Sequence, residues 1–269
     1  MTKRLGLIGY GGIGQSILAA CAAHPLPGYR LTTLLTRPYQ RDQAQAAFPD
    51  LAVTDSLADF LAAGPDIVIE AAGQGAVRDT AEAVLLRGCD LYVISTGALA
   101  DAAFRSRLLG LAGSGHGRVI IPAGATAGLD GLLAMRQDGL QTVTYISTKP
   151  PKAWLGTPAE QSFDLDAIAE PTVVFSGCAD VAALRYPKNA NLAATIALAG
   201  LGFERTQVKL VADPAASGNT GRIEAESRSS RLTVIVSGRS SPGNPKTSAI
   251  TGMSVLAALD NRSAALAFG

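Results

Sequence analysis

The chain has 269 residues, of which 48% are hydrophobic, 17% charged and 5% aromatic, and its formal net charge is +1. That length fits one large domain or two moderate ones, with ample apolar material for a core. The near-neutral balance, with Lys and Arg scattered singly, excludes the basic patch that a nucleic-acid or membrane-surface partner requires.

The opening Met1-Thr2-Lys3-Arg4, followed by Leu5 to Ile8, has the outline of a secretory leader. Five glycines between Gly6 and Gly14 break its apolar stretch, so a first strand is expected there instead. Short apolar strands are expected at Arg4–Gly9, Arg30–Leu35, Asp66–Ala71, Asp90–Ser95 and Arg118–Pro122. Helical stretches fall between them near Gly12–Ala23, Ser56–Leu61, Ala76–Arg87 and Ala102–Leu111. Runs such as Ile67-Val68-Ile69 suit strands buried on both faces, so this half predicts an α/β, doubly wound parallel sheet over residues 1–125.

After residue 125 the rhythm changes. Strands are expected at Gln141–Thr148, Pro171–Ser176, Thr206–Ala212, Arg222–Ser227 and Arg231–Ser237, with helices only near Asp180–Leu184 and Asn191–Leu201. The last two strands alternate and are joined by a short polar turn, which implies an α+β domain on a mixed or antiparallel sheet over residues 126–242. Asn244-Pro245-Lys246-Thr247-Ser248 offers a helix start, so residues 243–269 are expected to form a terminal helix packed on the first domain. No run approaches the ~18 apolar residues that span a bilayer. The three cysteines, Cys21, Cys89 and Cys178, are odd in number and lack CxxC spacing, and the histidines are His24 and His116. A cytoplasmic, reducing location is expected, with no disulfide and no metal.

Gly9-Tyr10-Gly11-Gly12-Ile13-Gly14 matches G-x-G-x-x-G after a strand pattern and at the head of a helical one. In that context the first glycine permits a tight turn and the second lets the backbone approach a pyrophosphate. The third allows close helix–strand packing, and the helix N-terminus offers its free N–H groups to the anion. Where an NAD site would carry an acidic residue, Leu34-Leu35-Thr36-Arg37 places Thr36 and Arg37, with Arg41 four residues on. A guanidinium pairs with a 2′-phosphate in a bidentate way, so NADP is favoured, with NAD or dual use the alternative. Two further small-residue turns, Ala71-Ala72-Gly73-Gln74 and Ser95-Thr96-Gly97-Ala98, follow strands and belong at the carboxyl edge of the sheet, where ligands bind.

With these residues the sequence resembles the L-aspartate dehydrogenase family, whose architecture is similar to that of dihydrodipicolinate reductase. The resemblance runs nearly end to end: GYGGIG, STGALAD from Ser95, PAGATAGLD from Pro122, TKPP from Thr148, YPKNANLAA from Tyr186, Ala212-Asp213-Pro214 and NPKTS from Asn244. It implies a Rossmann domain, a catalytic α+β domain and a homodimer. The implied reaction is oxidative deamination of aspartate through iminosuccinate to oxaloacetate and ammonia, or its reverse, often feeding nicotinamide biosynthesis. Carried over by motif, Ala125 and Asn191 would contact the dinucleotide near its nicotinamide end. Asn189 and Lys149 would lie nearby, with Lys149 pairing with a substrate carboxylate.

One departure stands out. The third residue of Asn219-Thr220-Gly221 is typically a histidine in that family, taken as the catalytic acid/base; here it is Gly221. A missing acid/base group commonly removes ~10²–10⁴-fold of rate. Water, Lys149 or Asp130 is then left to handle the proton, or the substrate differs. If position 221 faces the nicotinamide, glycine is expected to leave an opening the size of an imidazole. Three readings follow: an aspartate dehydrogenase, a dehydrogenase or imine reductase on another small amino or oxo acid, and a non-enzymatic dinucleotide-binding sensor.

Overall fold

The computed structural model describes residues 2–187, 191–238, 240–241, 244–248 and 250–268. Two compact units account for them: Met1–Gly124 together with Thr251–Gly269, and Ala125–Ile250.

In the first unit, β1 (Lys3–Ile8) leads into α1 (Gly12–Ala23), then β2 (Tyr29–Leu35), α2 (Arg41–Ala47), β3 (Ala52–Thr54) and α3 (Leu57–Ala62). After these come β4 (Ile67–Glu70), α4 (Gln74–Leu86), β5 (Asp90–Val93), α5 (Ala102–Gly113) and β6 (Val119–Ile120). The strands form one parallel sheet in the order β3-β2-β1-β4-β5-β6. Ile67, Val68 and Ile69 are each 0% exposed, as expected of a strand with helices on both faces. The strand order reverses between β1 and β4, and in such sheets ligands bind at that switch point, beyond the carboxyl ends of the strands.

The second unit contains α6 (Leu129–Gln137), β7 (Thr142–Lys149), α7 (Pro158–Ser162), β8 (Thr172–Cys178), α8 (Ala179–Arg185) and α9 (Asn191–Ala199). Strands β9 (Gln207–Ala212), β10 (Thr220–Glu226) and β11 (Arg231–Ser237) complete its sheet, in the order β11-β10-β7-β9-β8. Only β7 and β9 run parallel, so the sheet is mixed. Its inner face buries Val143, Tyr145, Val208, Leu210, Ile223 and Ala225, alternating with polar residues as a half-covered sheet requires.

A short pair, β12 (Ser240–Ser241) and β13 (Asn244–Ser248), closes this unit, and the last helix, α10, runs Ile250–Ser263. The helix start expected at Asn244 is therefore corrected: that segment pairs as a strand, where Pro245 is tolerated at an edge position. Helix α10 groups with the first unit, where Val255 and Leu259 are fully buried beside Leu5, Ile17 and Leu18. A Cβ at Gly252 would lie 2.6 Å from Ser16 Oγ, so glycine lets this helix approach α1.

Candidate functional site

The glycine turn after β1 is built by close approach. Gly9 has φ +108°, the region that favours glycine, and a Cβ there would lie 2.8 Å from the Ala71 carbonyl oxygen and from Ala72 Cα. A Cβ at Gly14 would lie 2.1 Å from the Gly9 oxygen, so the first turn of α1 sits directly against the loop it follows. Gly11 differs: a Cβ there meets nothing within 4 Å. Gly11 also caps α1 without any side-chain hydrogen bond, which leaves the amino-terminal N–H groups to an external acceptor. An open cradle bounded by helix N–H groups fits the pyrophosphate of a dinucleotide.

A groove of about 670 Å³ extends from this turn. Gly9, Gly11, Thr36, Arg37, Ala71 and Ala72 line it, while Gly12, Ile13 and Gly14 form the first turn of α1 beside it. Gly97 does not line it; it is buried in the short 3₁₀ turn Thr96–Ala100. Tyr39, Gln40 and Asp79, which sequence reasoning did not single out, also line it. The Arg37 guanidinium donates to the Tyr39 hydroxyl at 3.2 Å, and both side chains are exposed at the end of β2. If Arg37 meets a 2′-phosphate, Arg37→Asp removes a charge-assisted bond worth roughly 1.5–3 kcal/mol. The ratio of NADP to NAD affinity is then expected to fall about tenfold or more in a titration; an unchanged ratio makes Arg37 a bystander.

The wall of the groove at Ala71–Gly73 is held from beneath by Glu70, the last residue of β4, which is 0% exposed. Burial pushes its carboxyl up, and hydrogen bonds from the Gly73, Ser95 and Ala72 amides and the Ser95 hydroxyl pull it back. In the sequence Glu70 is no more than one residue within the strand expected at Asp66–Ala71.

In the second unit the candidates lie on several elements. Lys149 ends β7, and its Nζ lies 5.3 Å from the centroid of the Trp154 ring. Desolvation brings its pKa down to about 8. Trp154 is 0% exposed, and its indole Nε1 is buried with no hydrogen-bond partner among the described residues. Asp130 lies exposed in the first turn of α6, Ala125 opens the unit, and Asn191 begins α9. Asn189 lies outside the described residues.

A family model described as "Aspartate dehydrogenase, C-terminal" matches residues 130–262, and one described as "Homoserine dehydrogenase, NAD binding domain" matches residues 9–122. The L-aspartate dehydrogenase of Ralstonia nicotianae is 41% identical over 263 residues, 97% of each chain. The L-aspartate dehydrogenase 2 of Bordetella bronchiseptica is 41% identical over 269 residues, 100% of each. The chain belongs to the L-aspartate dehydrogenase family. Its fold agrees with the crystal structure of aspartate dehydrogenase from Thermotoga maritima, at a TM-score of 0.77 and 26% identity over 100% of both chains. Its cofactor is accordingly NAD or NADP, and it is an NAD(P)-dependent oxidoreductase.

For a member of the L-aspartate dehydrogenase family, the surroundings of Gly221 matter most. Gly221 sits on β10 opposite Ser147 of β7. On the side that faces Tyr145, Gly221 is closely approached rather than open. A Cβ at this position would lie 3.3 Å from both Cε2 and Oη of Tyr145, so the tyrosine ring occupies the space next to the glycine. Tyr145 is 2% exposed. Its pKa is pushed up to about 12 by burial, opposed by a hydrogen bond with the Ser147 side chain. Residues 145, 147 and 149 alternate onto one face of β7. That face therefore carries a phenol, a hydroxyl and an amine in sequence.

Proposed function

We propose that this protein interconverts L-aspartate and iminosuccinate, which water opens to oxaloacetate and ammonia, with NAD(P) as the redox partner. The observation that carries this reading is the 41% identity to L-aspartate dehydrogenases across essentially the whole chain, with both family segments in order. When bound, the nicotinamide supplies the acceptor for the hydride that leaves the substrate Cα. The cofactor site of this reading comprises Gly9, Gly11, Gly12, Ile13, Gly14, Thr36, Arg37, Ala71 and Ala72, with Gly97 assigned from its turn at a strand end and Ala125 and Asn191 by family motif. The turn at Gly9–Gly14 would take the pyrophosphate and Arg37 the adenosine end.

Lys149 would meet a substrate carboxylate. A primary amine whose pKa is held near 8 by desolvation still carries its charge at neutral pH and can also exchange a proton there. Asn189 is assigned to the same substrate by family motif alone. Tyr145 bounds one side of Gly221, so a bulkier substrate gains no room in that direction. A cytoplasmic homodimer belongs to this reading, and the free cysteines Cys21, Cys89 and Cys178 suit a reducing compartment. Among the described residues no helix is long and apolar enough to cross a membrane.

The test is reductive amination, followed by cofactor oxidation, with oxaloacetate and ammonia against a panel of other oxo acids. Turnover selective for oxaloacetate is expected; dinucleotide binding with no turnover of any acid would instead make the protein a sensor. Lys149→Met is expected to raise KM for the dicarboxylate about tenfold to a hundredfold, the loss of one charge-assisted bond, while dinucleotide affinity stays put. The sign with pH follows from the amine. Its charge is present below about 8 and lost above, so kcat/KM should fall as pH rises through about 8. Lys149→Arg should move that limb upward. An unchanged KM in Lys149→Met would remove Lys149 from the substrate.

A further inference from the structure

Glu70 is a fully buried carboxylate that the reaction itself does not call for. Its Oε1 accepts from the Ala72 amide at 2.8 Å, the Gly73 amide at 2.8 Å and the Ser95 hydroxyl at 2.9 Å. Its Oε2 accepts from the Ser95 amide at 2.9 Å. Three of the four partners are backbone N–H groups that can only donate, and they meet both oxygens, so the acceptor oxygens of a carboxyl group fit here and an amide does not.

The two loops joined in this way follow β4 and β5, at the carboxyl edge of the sheet. One of them carries Gly73 at φ +134° and lines the dinucleotide groove at Ala71, Ala72 and Gly73. It also abuts the phosphate turn, since a Cβ at Gly9 would strike Ala71 and Ala72 at 2.8 Å. Glu70 itself pairs in register with Ile8, the residue before Gly9. Loops with polar backbones hold a fixed shape only when their N–H groups have partners. Here a single side chain supplies three of those partners from inside the sheet.

We infer that Glu70 is a positioning residue for the dinucleotide: without touching it, its carboxylate holds the 71–73 and Ser95 loops as one wall against the phosphate turn. The inference rests on the groove at Gly9–Gly11 being the dinucleotide site. A second consequence is directional. The adenosine end of the groove, at Leu35–Arg37, hangs from β2 and makes none of these bonds, so its grip on adenosine is independent of Glu70.

Binding of NAD, NADP and 5′-AMP is measured by calorimetry on wild type, Glu70→Gln, Ser95→Ala and Gly11→Leu, at a temperature where circular dichroism reports all four as folded. Glu70→Gln turns an amide NH₂ toward a donor, at Oε1 or Oε2, and is expected to weaken the preferred dinucleotide about tenfold or more, with 5′-AMP within about twofold of wild type. Ser95→Ala, which deletes one hydroxyl donor and leaves the carboxylate in place, should show the same selectivity with a loss of about threefold to tenfold, and it keeps the test available if Glu70→Gln does not fold. Equal losses for dinucleotide and 5′-AMP would reduce Glu70 to a general structural role and overturn the inference. Wild-type dinucleotide affinity in Glu70→Gln, with binding lost in Gly11→Leu, would overturn it while leaving the groove in place. Wild-type affinity in both variants would overturn the groove reading and the inference together.

Discussion

Replacing Gly11 by leucine is expected to leave the protein folded and to remove most of its affinity for the dinucleotide. The two halves of that expectation come from the same geometry. Gly11 has φ −85° and ψ −171°, extended backbone open to any residue, and a Cβ there meets no atom within 4 Å. The fold therefore gives no reason for glycine at this position. Its neighbours are different: a Cβ at Gly14 would lie 2.1 Å from the Gly9 oxygen, and Gly9 needs its positive φ, so substitutions at either should disturb the turn itself. The space above Gly11 belongs to the groove, and a leucine side chain would stand where the pyrophosphate approaches the helix N–H groups. Overpacking of this kind costs about 1–3 kcal/mol, roughly fivefold to a hundredfold and more in affinity. The measurement is a pair: a thermal melt within about 2 °C of wild type, and calorimetric titration with NAD and NADP. A dinucleotide bound as tightly as before would move the site away from this loop.

The Rossmann unit was legible because its strands are buried on both faces and its phosphate turn is written in glycines. Ile67-Val68-Ile69 and the glycines at 9 and 14 each have one economical structural meaning, and Gly11 marks the open face of the turn. Shorter elements carried less signal. In α2, Arg41–Ala47, only Ala44 is buried, so no apolar stripe marks it, and three-residue β3 is too short to show alternation. Helix α6 lies in GLDGLLAMRQ, where two glycines dilute a helical pattern, yet Leu132 and Met135 are buried one turn apart and Gly128 takes φ +74° at its start. The strand at Asn244–Ser248 read as a helix start because Pro and small polar residues serve both purposes. In the candidate site, the groove residues contributed by successive strand ends were foreseeable. Glu70 was not, because a carboxylate at a strand end carries no mark of the four donors that converge on it. Nor was the contact of Tyr145 with Gly221, which depends on the register between β7 and β10 and on the lean of one ring along its strand.

That contact changes what restoring the family histidine should do. With an empty space at position 221, Gly221→His would simply return an acid/base group and raise turnover by up to ~10²–10⁴-fold. With Tyr145 Cε2 and Oη 3.3 Å from the place of the new Cβ, even Gly221→Ala requires the ring to yield slightly. The ring is 2% exposed and hydrogen-bonded with Ser147, so it has little room to do so. An imidazole must turn away from the tyrosine or displace it. Gly221→His is therefore expected to lower stability by about 1–3 kcal/mol and to leave turnover of aspartate within about tenfold of wild type. The cause is checked by a double-mutant cycle with Tyr145→Leu, read by chemical denaturation. Trimming the ring should cost less in the Gly221→His background than in wild type, with a coupling of about 0.5–3 kcal/mol. Additive effects would mean that the histidine and the tyrosine do not compete for space. A single Gly221→His variant that melts like wild type and turns over aspartate a hundredfold faster would sink the reading altogether. The ring would then be a movable filler, and the proton in the native enzyme would lack a dedicated carrier. If instead the histidine adds nothing and Lys149→Met abolishes turnover as well as raising KM, the amine at the end of β7, with its pKa near 8, is the group that handles the proton.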